Sequence, residues 1–228
     1  MPLLTLFSLP ESGFLSAASD DLKRMLAAQA VPVTLEAGAV LFEQGTPGDS
    51  LYAIVQGQME FSILSAQGRK LSLDLMGPGA VFGEITLFDP GPHTATVTAL
   101  TSARLLRVRH ADVLDKIHHA PDLADDLIRL AGQRMRWMGR QLNEQVFLPL
   151  ATRLARRLLH LGAVTGGAQS GAVELSQAEL AEFVGATREA VSKTLSNWRE
   201  AGVIETGRGG VTIHDPGALR TLADLDAI

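Results

Sequence analysis

The chain has 228 residues, 46% of them hydrophobic and 20% charged, and carries a formal net charge of −5. That length suits two domains of ordinary size, and the composition excludes a chain dominated by disorder. The absence of cysteine excludes structural disulfides, thiolate zinc sites and cysteine-ligated iron–sulfur clusters, and the negative balance confines any nucleic-acid surface to a locally basic patch.

No uninterrupted apolar run approaches the length of a membrane span, and the N-terminus lacks a basic-then-apolar signal pattern. The cytoplasm is the expected location, with no membrane partner. Residues 1 to about 30 read as a short helical lead-in: Asp20 and Asp21 start a helix carrying Leu22, Met25 and Leu26, and Pro32 breaks it. From Val31 to about Arg109 the texture changes. Short runs such as Leu51-Tyr52-Ala53-Ile54-Val55 and Met59-Glu60-Phe61-Ser62-Ile63-Leu64 are separated by Gly38, Gly45, Gly48, Gly57, Gly68, Gly77 and Gly79. Many short strands with glycine turns predict a compact all-β sandwich or barrel.

A long helix is expected from about Pro121 to Asn143. Leu123, Leu127, Leu130, Arg134, Trp137 and Gln141 recur along it at alternating four- and three-residue steps, with Met135, Met138 and Leu142 beside them. Such a stripe either packs on its own domain or forms a two-stranded coil between subunits. The polar Arg134 and Gln141 count a little against a tight coil. DNA readers built on one helix-turn-helix usually need a dimer to span two half-sites, which favours a dimer interface between subunits. Val146-Phe147-Leu148-Pro149 interrupts the pattern, Leu150 to Leu161 forms another amphipathic helix, and Gly166 to Gly171 is a flexible loop. The expected domain bounds are 1–120 for the β-rich part, 121–145 for the long helix and 146–228 for the remainder.

The most informative stretch is Ser176 to Trp198. Ser176-Gln177-Ala178-Glu179 is a capping box, in which a serine oxygen takes an orphan backbone N–H and a glutamate three residues on reaches back. Leu180, Phe183 and Val184 follow at helical spacing, Gly185 permits a sharp turn, and a second helix begins near Thr187. At about 100° per residue, Val191, Thr194, Leu195 and Trp198 share one side of it, and Arg188, Glu189, Ser192, Lys193 and Ser196 the other. The first set suits a core. The second places a forked donor, an acceptor, hydroxyls and a cation where a helix in a major groove meets base edges. Gly202-Val203-Ile204-Glu205 and Gly207 to Ile213 read as two short strands, which completes a winged helix-turn-helix. DNA binding is the expected function.

This organisation resembles the cyclic-AMP receptor protein/FNR (Crp/Fnr) family of bacterial transcription regulators over nearly the whole chain. The resemblance rests on Gly38, Leu41-Phe42, Gly45, Gly48-Asp49, Leu51-Tyr52 and Gly57, on Phe82-Gly83-Glu84-Ile85 with Leu87-Phe88 and Thr94-Ala95, and on Val184-Gly185 with Arg188 to Lys193. It implies an α+β chain: a cyclic-nucleotide-binding-type β-roll, a long dimerisation helix and a C-terminal winged helix-turn-helix. It also implies a homodimer on double-stranded palindromic promoter DNA, with RNA polymerase a candidate further partner. The residues matching Arg188, Glu189 and Lys193 read bases in that family, the serine matching Ser192 does so in its FNR branch, and those matching Ser176 and Gln177 meet phosphates. Thr187 and Ser196 complete the expected DNA-binding set.

The resemblance places effector binding at Gly83, Glu84, Ile85, His93, Thr94, Ala95 and Met138. The family holds a cyclic phosphate on backbone N–H groups and an arginine, with the glutamate on a ribose hydroxyl. Here the arginine position is His93, and Met138 and Gly139 stand where cyclic-AMP responders carry hydroxyls. Cyclic AMP is therefore not the expected ligand, and the effector is left open. The alternative is haem as a gas sensor, with His93, His118, His119 or His160 as a ligand. No catalytic triad, nucleotide-hydrolase phosphate loop or metal-ligand spacing is present, so neither an enzyme nor a metal site is expected.

Overall fold

The computed structural model describes residues 19–66, 68, 70–120, 122–165, 172–173, 175–207 and 210–224, without the side chains of residues 137, 141 and 165. The expected loop Gly166 to Gly171 and the tip of the wing lie outside these residues.

Helix α1 (Asp20–Gln29) starts where Ser19 accepts the Leu22 N–H at 3.2 Å, and two aspartates in its first turn suit the positive end of the helix dipole. Eight strands follow: β1 (Val31–Leu35), β2 (Val40–Phe42), β3 (Ser50–Gln56), β4 (Met59–Leu64), β5 (Lys70–Met76), β6 (Val81–Phe82), β7 (Thr96–Ala99) and β8 (Ala103–Arg109). The four-residue helix α2 (Ile85–Phe88) interrupts them between β6 and β7. The strands form two four-stranded sheets, in the orders β1-β8-β3-β6 and β2-β7-β4-β5. Two glycines are needed where chains approach. Gly57 and Gly83 both have φ of +89°, and a Cβ would sit 2.6 Å from the Ser102 carbonyl oxygen and 2.4 Å from that of Ser50 respectively.

Helices α3 (His110–His119) and α4 (Asp122–Phe147) follow, then α5 (Leu150–Thr165), the short strand β9 (Ala172–Val173), α6 (Gln177–Val184), α7 (Arg188–Glu200), β10 (Ile204–Gly207), β11 (Gly210–Ile213) and α8 (Pro216–Asp224). The third sheet has the order β10-β11-β9, so the wing carries one strand more than its sequence suggests.

The chain divides into two compact units. One comprises residues 1–63 and 76–138; the other comprises 64–75 and 139–228. The first unit has its core in two clusters. Ile54, Met59, Phe61, Phe82, Val97 and Leu105 fill one, and Leu22, Leu26, Leu51, Val108, Val113 and Leu130 are among those in the other. The second unit has a single cluster built on Leu154, Leu158, Leu161, Leu180, Phe183, Val191 and Leu195, and strand β5 contributes Leu75 to it. That contribution has no signature in the local sequence.

Helix α4 is apolar on two faces. Leu123, Leu127 and Leu130 are buried in the first unit's own core. Ile128, Met135, Met138, Leu142 and Val146 are exposed at near-heptad spacing. The stripe that periodicity assigned to a dimer interface is thus, over its first half, an internal packing face. Trp137 and Gln141 lie outside the described side chains.

Candidate nucleic-acid interface and effector pocket

The second unit builds its reader from one well-capped hairpin of helices. Ser176 Oγ accepts the Glu179 N–H at 3.2 Å, and Glu179 Oε2 accepts the Ser176 N–H at 2.7 Å, so the capping box is complete. The Leu180 N–H bonds to the Ser176 carbonyl, which leaves the N–H groups of Gln177 and Ala178 without an intrahelical partner. The helix ends on Gly185 in the left-handed conformation, with φ of +62°, and the Gly185 and Ala186 N–H groups both return to the Ala181 carbonyl. Thr187 then caps α7, its hydroxyl accepting the Ala190 N–H at 3.3 Å.

Helix α7 is fixed from one side. Val191, Leu195 and Trp198 are buried, and Thr194 turns its hydroxyl back to the Ala190 carbonyl at 3.0 Å. Arg188, Glu189 and Lys193 are exposed, and Ser192 and Ser196 are half-buried. The wing strands pair in register from Ile204↔Ile213 to Gly207↔Gly210. A cleft of about 290 Å³ opens between them and the helices, lined by Ser176, Gln177, Ala178, Arg188, Thr206 and Gly210 among others. Two backbone donors without an intrahelical partner at a helix N-terminus and a guanidinium on one concave surface suit a phosphate. Of the expected DNA contacts, Arg188, Ser176 and Gln177 meet at this cleft, and Glu189, Ser192, Lys193 and Ser196 share the face of α7 beyond it. Thr187 is different: its hydroxyl is already engaged as a cap.

The first unit holds the expected effector residues. Gly83 passes under the Ser50 carbonyl, and the next residue, Glu84, is buried with its carboxylate 2.9 Å from the Arg134 guanidinium. This is a close ion pair rather than an aligned hydrogen bond. Sequence reasoning placed Arg134 in a dimer seam. Instead its charge faces inward, and the signal was available: a polar residue on an otherwise apolar stripe requires a partner.

His93 is buried and stacked on Phe42, with ring centroids 3.5 Å apart. Its backbone is pinned as well, its N–H donating to the Thr46 carbonyl and its own carbonyl accepting from Gly45. Burial lowers its pKa, the neighbouring His110 lowers it further, and Asp49 offsets part of the shift. His110 is also buried and also lowered, chiefly by burial, against opposing backbone hydrogen bonds from Gly83 and Ser50. Both imidazoles are therefore neutral near pH 7. Ile85 opens α2, Thr94 is exposed and Ala95 half-buried. Met138 is about half exposed on α4.

A cyclic nucleotide is the group this cassette implies, and two of its residues are engaged elsewhere. The cation position holds a neutral ring turned onto Phe42, and the carboxylate that would meet a ribose already faces Arg134. Asp49, His110 and Phe42, which shape this corner, were not among the expected effector residues. The four histidines considered for haem have other surroundings. His93 is stacked, His118 is exposed, His119 bonds the Asp115 carbonyl at 2.7 Å, and His160 sits 3.1 Å from Asp74. Among the described residues no group of three metal-ligating side chains is assembled, and no helix is long and apolar enough to cross a membrane.

Two family models match the chain, the cyclic nucleotide-binding domain over residues 32–119 and the Crp-like helix-turn-helix domain over residues 152–222. The chain is 34% identical to the CRP-like cAMP-activated global transcriptional regulator of Mycobacterium tuberculosis, across 83% of this chain and 87% of that one. It is 31% identical to the cyclic AMP receptor protein of Thermus thermophilus, across 82% and 85%. Among solved structures, a CRP/FNR-family transcriptional regulator from Thermus thermophilus superposes with a TM-score of 0.72 at 27% identity, covering 85% of this chain and 98% of that one.

Proposed function

Since this chain belongs to the Crp/Fnr family of transcription regulators, we propose that it works as a homodimer whose two α7 helices read the half-sites of a palindromic promoter, and that cyclic AMP is not its effector. The observation that carries the DNA reading is α7 itself. Its apolar side is locked into the second unit's core while Arg188, Glu189 and Lys193 stand clear of it. An arginine fork matches the two major-groove acceptors of guanine, and a glutamate oxygen accepts from the cytosine amine.

The exposed row Ile128, Met135, Met138, Leu142 and Val146 supports the dimer. Five large apolar side chains at near-heptad spacing on a 26-residue helix are costly in water, and a second copy of the same helix is a self-complementary cover. RNA polymerase would then be the partner through which a DNA-bound dimer changes transcription.

The relatives named above are a cAMP-activated regulator and a cyclic AMP receptor protein. At the position where the family resemblance implies a phosphate-binding cation this chain has His93, which offers no permanent charge to a phosphate and is held against Phe42. The haem alternative draws nothing from the histidine surroundings, and a Soret band in purified protein is the observation that would revive it. The proposal is tested by sedimentation of the free protein and by fluorescence anisotropy on promoter duplexes with and without cyclic AMP. The expected result is a dimer with salt-dependent, sequence-selective binding that cyclic AMP leaves unchanged. A monomer at micromolar concentration, or a large cyclic AMP response, overturns the corresponding half.

A further inference from the structure

The second unit contains a contact that lines neither the cleft at Arg188 nor the effector cassette. Strand β5 lies along the helices of the reader. Leu75 is fully buried in their core, Leu71 lies against Gly185 at the turn, and Lys70 Nζ is 3.8 Å from Glu182 Oε2 on α6. Between Leu71 and Leu75 sits Asp74, a buried carboxylate.

One oxygen of Asp74 gathers three donors. Arg157 Nη1 reaches Oδ1 at 3.0 Å, the ring of His160 at 3.1 Å, and the Leu75 N–H at 2.9 Å. Arg157 also gives Nη2 to the Leu73 carbonyl at 3.2 Å. Its guanidinium carbon lies 5.4 Å from the ring centroid of Phe183, which is itself buried on α6. Strand β5, Arg157 and His160 of α5, and Phe183 of α6 are thus joined in one stack with a carboxylate at its end.

We propose that Asp74 is a positioning residue for DNA reading: by holding Arg157 over Phe183 it fixes the helix on which α7 is mounted, and it does so most firmly when His160 is protonated. The inference rests on α7 being the reading helix. A half-buried guanidinium that loses its carboxylate has lost the partner that offsets its desolvation, so it rearranges, and Phe183 loses the group seated on it. The same logic makes Asp74 depend on its donors. Its pKa is lowered against burial, with the His160 hydrogen bond the first opposing cause.

Protonation enters at His160, whose ring is 46% exposed and so exchanges protons with solvent. The charges acting on it are Asp74 on β5, which raises its pKa, and Arg157 on its own helix, which lowers it. The net shift is upward. Its Nε2 faces two acceptors, Asp74 Oδ1 and the Leu75 carbonyl, so Nε2–H donates in either state and the second proton adds charge to the bond. A raised histidine pKa contributes stability that is complete below the ordinary value near 6.5 and lost as pH rises through the folded-state value. The strut therefore tightens as pH falls from 8 towards 6, while Asp74 remains ionised.

The test compares the parent with Asp74→Asn, His160→Gln and Arg188→Ala in the full chain. It measures backbone hydrogen exchange over residues 177–200 without DNA, and anisotropy on specific and scrambled duplexes, at pH 6 and pH 8. Asp74→Asn is expected to speed exchange in α6 and α7 by about tenfold or more, the scale of a lost charge-assisted hydrogen bond, and to weaken specific binding more than non-specific binding. His160→Gln keeps the Arg157 contact, so it should match the parent near pH 8 and lack the extra protection near pH 6. Arg188→Ala should weaken specific binding with exchange unchanged. Parent-like exchange and affinity in Asp74→Asn overturn the proposal. Should Asp74→Asn not fold, His160→Gln decides: a pH dependence equal to the parent's overturns it. A parent that binds no duplex, with exchange behaving as stated, supports the strut and overturns the DNA assignment instead.

Discussion

The imidazole of His93 lies flat on the ring of Phe42, their planes only 6° apart. A stacked, buried ring prefers to be neutral, and the proximity of His110 adds to that preference. His93 and His110 both have folded-state pKa values below the ordinary histidine value. A depressed histidine leaves the unfolded chain binding more protons, so stability is complete above about pH 6.5 and is lost as pH falls below it. Melting temperature is expected to drop on acidification through this window. His93→Phe, which keeps a ring on Phe42, should lessen the drop, and an unchanged slope would remove His93 from the explanation.

The same stack bears on cyclic AMP. We expect no micromolar binding by the parent in calorimetry at pH 8. His93→Arg supplies a permanent cation, but the longer side chain must leave Phe42 and the competing Glu84–Arg134 pair remains. It is expected to gain measurable affinity for cyclic AMP or cyclic GMP while losing melting temperature. Tight parental binding would show that the phosphate is held without a cation at this position.

On the reading helix, Arg188→Ala is expected to cost about 1–3 kcal/mol on the specific duplex and to relax preference at one base pair. Lys193→Ala should weaken all duplexes more evenly and lower the salt slope if it meets phosphate. Gel shifts across a small set of base substitutions separate the two patterns. Equal binding by Arg188→Ala would move the reader elsewhere.

The two faces of α4 make opposite predictions. Met135→Glu puts a charge into the exposed row and should give folded monomers by sedimentation. Leu130→Glu puts one into the first unit's core and should destabilise the fold by several kcal/mol. A stable monomer from Leu130→Glu together with an unaffected dimer from Met135→Glu would restore the stripe read from periodicity.

Breaking the Glu84–Arg134 pair from one side leaves a buried carboxylate beside an empty place. Arg134→Met is expected to destabilise the first unit by about 3–5 kcal/mol, and adding Glu84→Gln should recover much of it. Chemical denaturation of the three variants closes the cycle, and additive losses would mean the two side chains do not depend on each other.

The reader was legible almost residue by residue, because its signals are local. A capping box, a left-handed glycine and a helix with separate apolar and polar sides are each set within four residues of chain, and Ser176, Gly185 and Val191 stand where those rules put them. The β-roll was legible as a class through its glycines, but strand order was not, since β3 pairs with β8 some fifty residues away. The register of the α4 stripe was open because one helix carries two apolar rows, and spacing alone does not say which faces its own core. Asp74 left no local trace, and the Glu84–Arg134 pair left only one, a polar Arg134 on an otherwise apolar stripe. Their partners come from distant segments, and a charged residue in a sequence reads as surface until its partner is known.

Helix α7 divides its labour by side. Val191, Leu195 and Trp198 keep it in place, and none of the residues offered to DNA contributes to that core. If α7 is the reading helix as proposed, exchanging Arg188, Glu189, Ser192 or Lys193 is expected to alter what is read at little expense to folding. A laboratory library restricted to these four positions is therefore expected to yield mostly stable proteins that differ in the operators they recognise.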